Sequence, residues 1–75
     1  MIKAATYMSG EAIRENDHVL CGSIRGTVIQ VMSPGSVQAA AHDCHETGGF
    51  LIQLANGHVQ LWMRADEDLI LLGRS

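Results

Sequence analysis

An Asn-Gly pair at positions 56 and 57 divides the segment FLIQLANGHVQLWM into two runs in which apolar and polar residues alternate. Alternation with a period of two is typical of a β-strand that is buried on one face. Asparagine and glycine both tolerate the positive φ angles of a two-residue type I′ turn. The last third of the chain is therefore predicted to contain a tight hairpin within an antiparallel sheet.

A two-residue turn would fix which residues face each other across this hairpin. One face would carry three apolar pairs: Leu54 with Val59, Ile52 with Leu61, and Phe50 with Met63. The other face would carry Ala55 opposite His58, Gln53 opposite Gln60, and Leu51 opposite Trp62. We therefore expect the first face to lie in the core and the second, mixed face to lie outside.

The segment HVLCGSIRGTVIQVM, upstream of the hairpin, indicates two further strands. One strand is expected near 18–21 and the other from about 25 to 32, with a turn at Gly22 and Ser23 between them. Apolar residues around Val28 and Ile29 do not alternate strictly, which suggests a bulge or burial on both sides. Pro34 and Gly35 are expected to end the second strand.

The remaining segments are predicted to connect or extend these strands. Three consecutive alanines favour a short helix or helical turn in the 36–46 loop, with Ser36 as its N-cap and Gly48 at its end. RADEDL resembles a tight helical turn and LILL a last strand. TYM and EAI, which Ser9 and Gly10 separate, suggest a short strand or arm.

Five short antiparallel strands with one long excursion predict an all-β fold, a small and partly open barrel. The 75 residues suffice for one domain, 1–75, and 47% of them are hydrophobic, so a packed core is expected. The predicted core consists of Val19, Val28, Phe50, Ile52, Leu54, Val59, Leu61, Met63 and Leu69.

Charge and composition limit the classes of partner. The net charge is −3 and only five residues are Lys or Arg, which disfavours nucleic acid and anionic membranes. The sequence shows no apolar run of membrane-spanning length and no secretion signal in MIKAATYMSG, so a cytoplasmic location is expected. In that compartment Cys21 and Cys44 should be thiols. No cofactor is predicted.

The run IRENDHVLCGSIRGTVIQV resembles the opening of an SH3-like or KOW-type barrel. Asp17 precedes Val19, Gly22 forms the turn, and Gly26-Thr27-Val28 follows, whereas Asn16 stands where such motifs usually have glycine. Together with YMSGEAI, the whole chain resembles small uncharacterised bacterial SH3-like proteins. KOW domains commonly bind RNA or the ribosome, and the acidic balance of this chain argues against that role.

The run GHVQLW is similar to the Val-Gln-Ile-Tyr strand of type II, plasmid-borne dihydrofolate reductases. These are SH3-like barrels that assemble as tetramers around a pore. The resemblance would make Val59, Gln60, Leu61 and Trp62 the pore residues. Cys21 replaces a lysine that helps bind cofactor phosphate in that family, and Trp62 lacks the phenol hydroxyl of its tyrosine. This resemblance therefore gives only an alternative function, a small reductase.

The stretch AHDCHETGG is rich in potential metal ligands. On a helix, His42 and His45 would share a face while Cys44 points elsewhere, and Glu46 could add a third ligand. The spacings that strongly indicate zinc are absent. We therefore expect a mobile or helical loop without a metal. If a metal were bound, His42, His45 and Cys44 would be its candidate ligands.

The mixed face of the predicted hairpin is the candidate binding surface. Leu51, Gln53, Gln60 and Trp62 would form a charge-poor, aromatic-bearing patch like the centre of a protein interface. Alternatively, the N-terminal arm or the 36–46 segment folds over it. Catalysis is disfavoured: 66–68 forms an acidic turn that Asp66 caps, and the cysteines need histidine partners that the sequence does not establish. The favoured function is a non-catalytic binding module with a homo-oligomeric or partner-protein interface.

Overall fold

A computed structural model describes residues 6–74 of the chain. They form one antiparallel sheet with the strand order β4-β3-β2-β1-β5 and one short helix. The elements in chain order are β1 His18–Cys21, β2 Ile24–Met32, α1 Val37–Ala41, β3 Gly49–Leu54, β4 Val59–Trp62 and β5 Leu69–Gly73. The prediction of an all-β fold is confirmed. The sheet is not closed, because β4 and β5 each pair with one neighbour within the described residues. No helix in this part of the chain has the length and apolar character needed to cross a membrane.

The β1–β2 hairpin forms where the sequence predicts it. Cys21 pairs with Ile24, so Gly22 and Ser23 are the whole loop, and Gly22 has a φ of 62°. A positive φ at the first loop residue alone is typical of a type II′ turn. The register between β2 and β3 shifts between Val28 and Gln30, which confirms a bulge in the predicted region.

The β3–β4 hairpin differs from its predicted register by one residue. Phe50 pairs with Trp62, Leu51 with Leu61, Ile52 with Gln60, and Gln53 with Val59. The backbone N–H of Leu54 donates to the carbonyl of His58 at 2.7 Å, so the loop contains three residues, 55–57. A loop with one extra residue exchanges the two faces of β4, and the predicted pairing is therefore wrong.

The main core lies on one face of the sheet. Six predicted core residues are buried there: Val19, Val28, Phe50, Ile52, Leu54 and Leu69. Val59, Leu61 and Met63 were predicted to join them and are exposed instead, the first two because they point to the opposite face of β4. Tyr7 and Ile13 from the N-terminal segment and Ala65 from the β4–β5 connection complete the core.

The segment after β2 forms a second, smaller core on the other face of the sheet. Ser36 is the N-cap of α1, as predicted, and its hydroxyl accepts a hydrogen bond from the backbone N–H of Ala39 at 3.1 Å. The helix ends at the C-cap His42 rather than at Gly48. Met32, Ala39 and Cys44 are buried together, and Leu51 packs against them.

The segment that begins at Thr6 and the last connection follow the predicted outline. A bridge between Thr6 and Ala12 makes the N-terminal segment a small arm. The RADEDL segment is a tight turn, in which the carboxylate of Asp66 accepts a hydrogen bond from the backbone N–H of Asp68 at 2.9 Å. The LILL segment lies in β5, as predicted.

Candidate functional site

The four residues predicted to form one binding surface lie on two faces of the hairpin. Leu51 and Gln53 pair with Leu61 and Val59, so these four side chains point away from the main core. Gln60 and Trp62 pair with Ile52 and Phe50 and lie on the core side. The prediction of a single Leu51, Gln53, Gln60 and Trp62 face is therefore wrong, because it depends on the two-residue turn.

Trp62 closes the edge of the main core. Its ring stacks on Phe50 with a centroid separation of 6.3 Å and an interplanar angle of 19°. Its indole N–H donates to the side-chain carbonyl of Gln60 at 3.3 Å. Trp62 is half-buried and packs against the core cluster. Its aromatic surface and its donor both have partners within the chain, so it is not the freely exposed anchor that the predicted surface requires.

The exposed apolar surface of the hairpin lies on the opposite face. We define the hairpin outer face as Ile29, Leu51, Val59 and Leu61. Ile29 occupies the bulge opposite Leu51 and is 42% exposed, and Val59 and Leu61 are 51% and 39% exposed. Large apolar side chains clustered on one exposed face are typical of an interaction surface.

The 36–46 segment covers one end of this face. Leu51 is half-buried because Met32, Ala39 and Cys44 pack against it. Val59 and Leu61 on β4 remain exposed. The alternative that the segment folds over the patch therefore holds for Leu51 and leaves the β4 side chains accessible.

The backbone of β4 adds a second feature to this surface. Within residues 6–74, β4 pairs only with β3 and is an edge strand. The carbonyl of His58 points towards β3, and hydrogen-bonding direction alternates along a strand. The N–H and C=O groups of Val59 and Leu61 therefore point to the unpaired edge. No residue of β4 is charged and none is proline, so the usual protection of an edge strand is missing.

The ligand-rich stretch AHDCHETGG does not converge on one point. Cys44 is buried in the small core, whereas His42 and His45 are exposed. Among the described residues no group of three His, Cys, Asp or Glu side chains is arranged to hold a metal ion. Asp43, with a φ of 60°, turns the chain between the helix and Cys44. The structure thus separates the sulfur from the two imidazoles that the sequence places next to it.

Neither cysteine is arranged as a nucleophile. Both are free thiols, and Cys44 is buried. The pKa of the Cys21 thiol is raised, first by burial and then by the negative charge of Asp66. A raised pKa lowers the fraction of reactive thiolate at neutral pH. The acidic turn beside Cys21 therefore opposes covalent catalysis at this position.

A buried polar cluster around Asp17 was missed by the sequence analysis. Asp17 is 1% exposed, and its carboxylate accepts hydrogen bonds from the Tyr7 hydroxyl at 2.7 Å and the Arg14 backbone N–H at 3.0 Å. Arg74 Nε lies 3.8 Å from the same carboxylate. Its guanidinium also donates to the carbonyl of Ala12 at 2.7 Å. The cluster thus connects the N-terminal arm, the start of β1 and the end of β5.

The Asp17 cluster is structural. Burial raises the pKa of the Tyr7 hydroxyl, and the hydrogen bond to Asp17 and the negative charge of Asp17 raise it further. Tyr7 and Asp17 are both almost completely inaccessible, so no substrate reaches them. A buried carboxylate with several donors stabilises the fold because its charge is compensated. An aspartate before a strand is the only sequence signal for the cluster, since its partners are distant in the chain.

Comparison of the chain with models of protein families, with curated proteins and with solved structures finds no match.

Proposed function

We propose that the chain is an SH3-like domain that acts as a non-catalytic interaction module by self-association through β4. The strand order supports the barrel, because the last strand returns after a tight turn to pair with the first. The expected interface shifts from the mixed face of the predicted register to the hairpin outer face and the free edge of β4. One observation carries the proposal: Val59 and Leu61 present both exposed apolar side chains and outward-pointing backbone groups.

A second copy of the chain is the partner that this strand fits best. Two β4 strands that pair antiparallel about a twofold axis at Gln60 would place Val59 of one copy opposite Leu61 of the other. Both residues point their N–H and C=O groups to the free edge, so this register lets them exchange backbone hydrogen bonds. The twofold relation repeats the same contact twice, as in most homodimers.

The energetics favour a weak to moderate dimer. Burying the exposed half of Val59 and Leu61 contributes roughly 1 kcal/mol for each side chain, on the basis of their apolar area. A domain of 75 residues has a limited core and gains stability from assembly. The pairing also covers an uncharged strand edge that would otherwise promote aggregation.

Sedimentation velocity with matched variants tests this proposal. The wild-type chain should sediment as a dimer at a protein concentration of about 100 µM. A concentration this high is needed because so small an interface is expected to be weak. Leu61→Asp places a charge at the dimer contact and should yield a monomer. Ile70→Asp, on the opposite edge strand, makes the same kind of change at a side chain that is 50% exposed and should remain dimeric.

The outcomes separate the proposal from its alternatives. A monomeric wild-type chain rejects self-association. A dimer that Ile70→Asp disrupts and Leu61→Asp preserves would assign the interface to β5 instead. Trp62→Ala is not a suitable probe, because it removes a side chain that packs on Phe50 and would destabilise the fold itself. Circular dichroism of each variant serves to establish that the sheet is retained.

A further inference from the structure

A groove crosses the outer face of the central strands, separate from the β4 edge. Its volume is about 560 Å³, within the range of small-molecule sites. His18, Thr27 and Gln53 stand side by side along its floor, because His18 pairs with Thr27 and Thr27 with Gln53. Arg25 lies two residues before Thr27 on β2 and therefore on the same face.

Among the described side chains that line the groove, only Arg25 carries a full charge at neutral pH, and this charge is positive in a chain with a net charge of −3. All eight Asp and Glu residues lie within the described part of the chain, and none of them lines the groove. Arg25 is the arginine among the lining residues, and within residues 6–74 it forms no ion pair. An arginine with no Asp or Glu partner among residues 6–74 is a strong donor for an anion, since its guanidinium matches two oxygen atoms at once.

The remaining lining residues define the rest of the ligand. Thr27 and Gln53 add a hydroxyl and an amide that can donate to an oxygen atom, while Ala55 and Leu72 supply apolar surface. A single arginine suits a group with one negative charge. A phosphate, with a charge of about −1.5 to −2 at neutral pH, calls for more cations than the groove contains.

We propose that this groove binds a small organic monocarboxylate, with its carboxylate on Arg25 and its apolar body against Ala55 and Leu72. The residues responsible are distinct from the Val59 and Leu61 contact, so the inference does not depend on self-association. It assigns a ligand class to a surface for which the sequence gives no signal, because its side chains come from four strands.

Nuclear magnetic resonance titration of the ¹⁵N-labelled chain tests this assignment. Hexanoate is the probe, and hexanamide is its neutral counterpart of similar shape. Hexanoate should shift the amide signals of Arg25, Thr27 and Gln53 saturably, with a Kd of about 1 mM for so small a ligand. Hexanamide and inorganic phosphate should bind at least tenfold more weakly. The Leu61→Asp variant should give the same titration as the wild type.

Two arginine substitutions provide the decisive comparison. Arg25→Gln should weaken hexanoate binding about 10- to 100-fold, as expected for the loss of a charge-assisted hydrogen bond. Arg64→Gln removes the same charge from an exposed arginine outside the groove and should leave binding unchanged. The proposal is rejected if hexanoate causes no saturable shift up to about 50 mM. It is also rejected if phosphate binds equally well or if the two variants behave alike.

Discussion

The two hairpins of this sheet differ by one loop residue, and that residue decides which side chains are buried. The β1–β2 hairpin turns through Gly22 and Ser23. The β3–β4 hairpin turns through 55–57, and among these residues only Gly57 has a positive φ, of 92°. The β1–β2 hairpin, here called the inner hairpin, pairs with another strand on each side. The β3–β4 hairpin, here called the outer hairpin, ends in the edge strand β4.

The three-residue loop uses the same Asn-Gly pair that predicts a two-residue turn. Gly57 donates its N–H to the carbonyl of Leu54 at 2.9 Å, and its positive φ then returns the chain to the strand. The side-chain oxygen of Asn56 accepts a hydrogen bond from the N–H of His58 at 3.0 Å. A turn of this kind followed by a left-handed glycine is the common three-residue hairpin loop. The dipeptide therefore indicates a hairpin reliably and its register poorly.

The largest expected effect comes from truncating neighbouring side chains on opposite faces of the outer hairpin. Ile52→Ala removes a fully buried side chain and should lower the free energy of unfolding by about 3 kcal/mol. Leu61→Ala removes a side chain that is 39% exposed and should cost less than about 1 kcal/mol in the monomer. Urea denaturation at low protein concentration measures both.

Comparable losses of about 3 kcal/mol would restore the predicted register, in which Ile52 and Leu61 share the core face. A larger loss from Leu61→Ala than from Ile52→Ala would also contradict the observed pairing. If Ile52→Ala does not fold, Ile52→Val offers a milder test with an expected loss of about 1 kcal/mol. The expected order is then the same: Ile52→Val should lower the free energy of unfolding more than Leu61→Ala does.

Most of the fold was predictable because its signals are local. Strand positions follow from alternation, the bulge at Ile29 from its interruption, and the cap of α1 from Ser36. The register of β4 was not predictable, because VQLW carries apolar residues on both faces. Placing Trp62 over Phe50 buries a large aromatic surface and selects the face that the smaller Val59 and Leu61 would otherwise occupy.

The candidate site was predictable only in part for a related reason. Sequence analysis located the hairpin that carries the candidate surface but assigned its faces from the wrong loop length. The Asp17 cluster and the Arg25 groove depend on residues from distant segments, such as Tyr7 and Arg74 or Arg25 and Leu72. No spacing rule connects such residues, so only the folded sheet reveals them.

Alkaline pH should destabilise the Asp17 cluster, which lies at the start of the inner hairpin. Asp17 lies directly before β1, and its carbonyl accepts the N–H of Val28 at 2.9 Å. The folded state raises the pKa of Tyr7 above its ordinary value of 10.0. Above about pH 10 the unfolded chain releases this proton while the folded chain keeps it, so unfolding becomes more favourable. Stability should fall by up to about 1.4 kcal/mol for each pH unit.

Tyr7→Phe isolates this contribution. The variant should lose about 1 to 2 kcal/mol at neutral pH, because Asp17 loses a donor. Its stability should then decline less steeply than that of the wild type above pH 10. The raised pKa of Cys21 also lowers stability at alkaline pH, but it is common to both proteins and cancels in the difference. Parallel pH profiles for the two proteins would show that Tyr7 does not carry the effect.

Deletion of Ala55 should have the smallest effect and gives the sharpest test of the loop. The deletion leaves Asn56 and Gly57 as a two-residue loop between Leu54 and His58, which are already opposite each other. The register of β3 and β4 is then unchanged, and the pair can adopt a type I′ turn. The loss of the hydrogen bond from the Ala55 N–H to the Arg25 carbonyl should limit the cost to about 1 kcal/mol.

The same deletion would be severe if the hairpin had the predicted two-residue turn. Ala55 would then pair with His58, and removing it would shift β4 by one residue and exchange its faces. Several apolar side chains would leave the core, at a cost of several kcal/mol. Urea denaturation of the deletion variant therefore distinguishes the two registers. Because a retained register keeps Val59 and Leu61 on the exposed face, the variant should also dimerise like the wild type in sedimentation velocity.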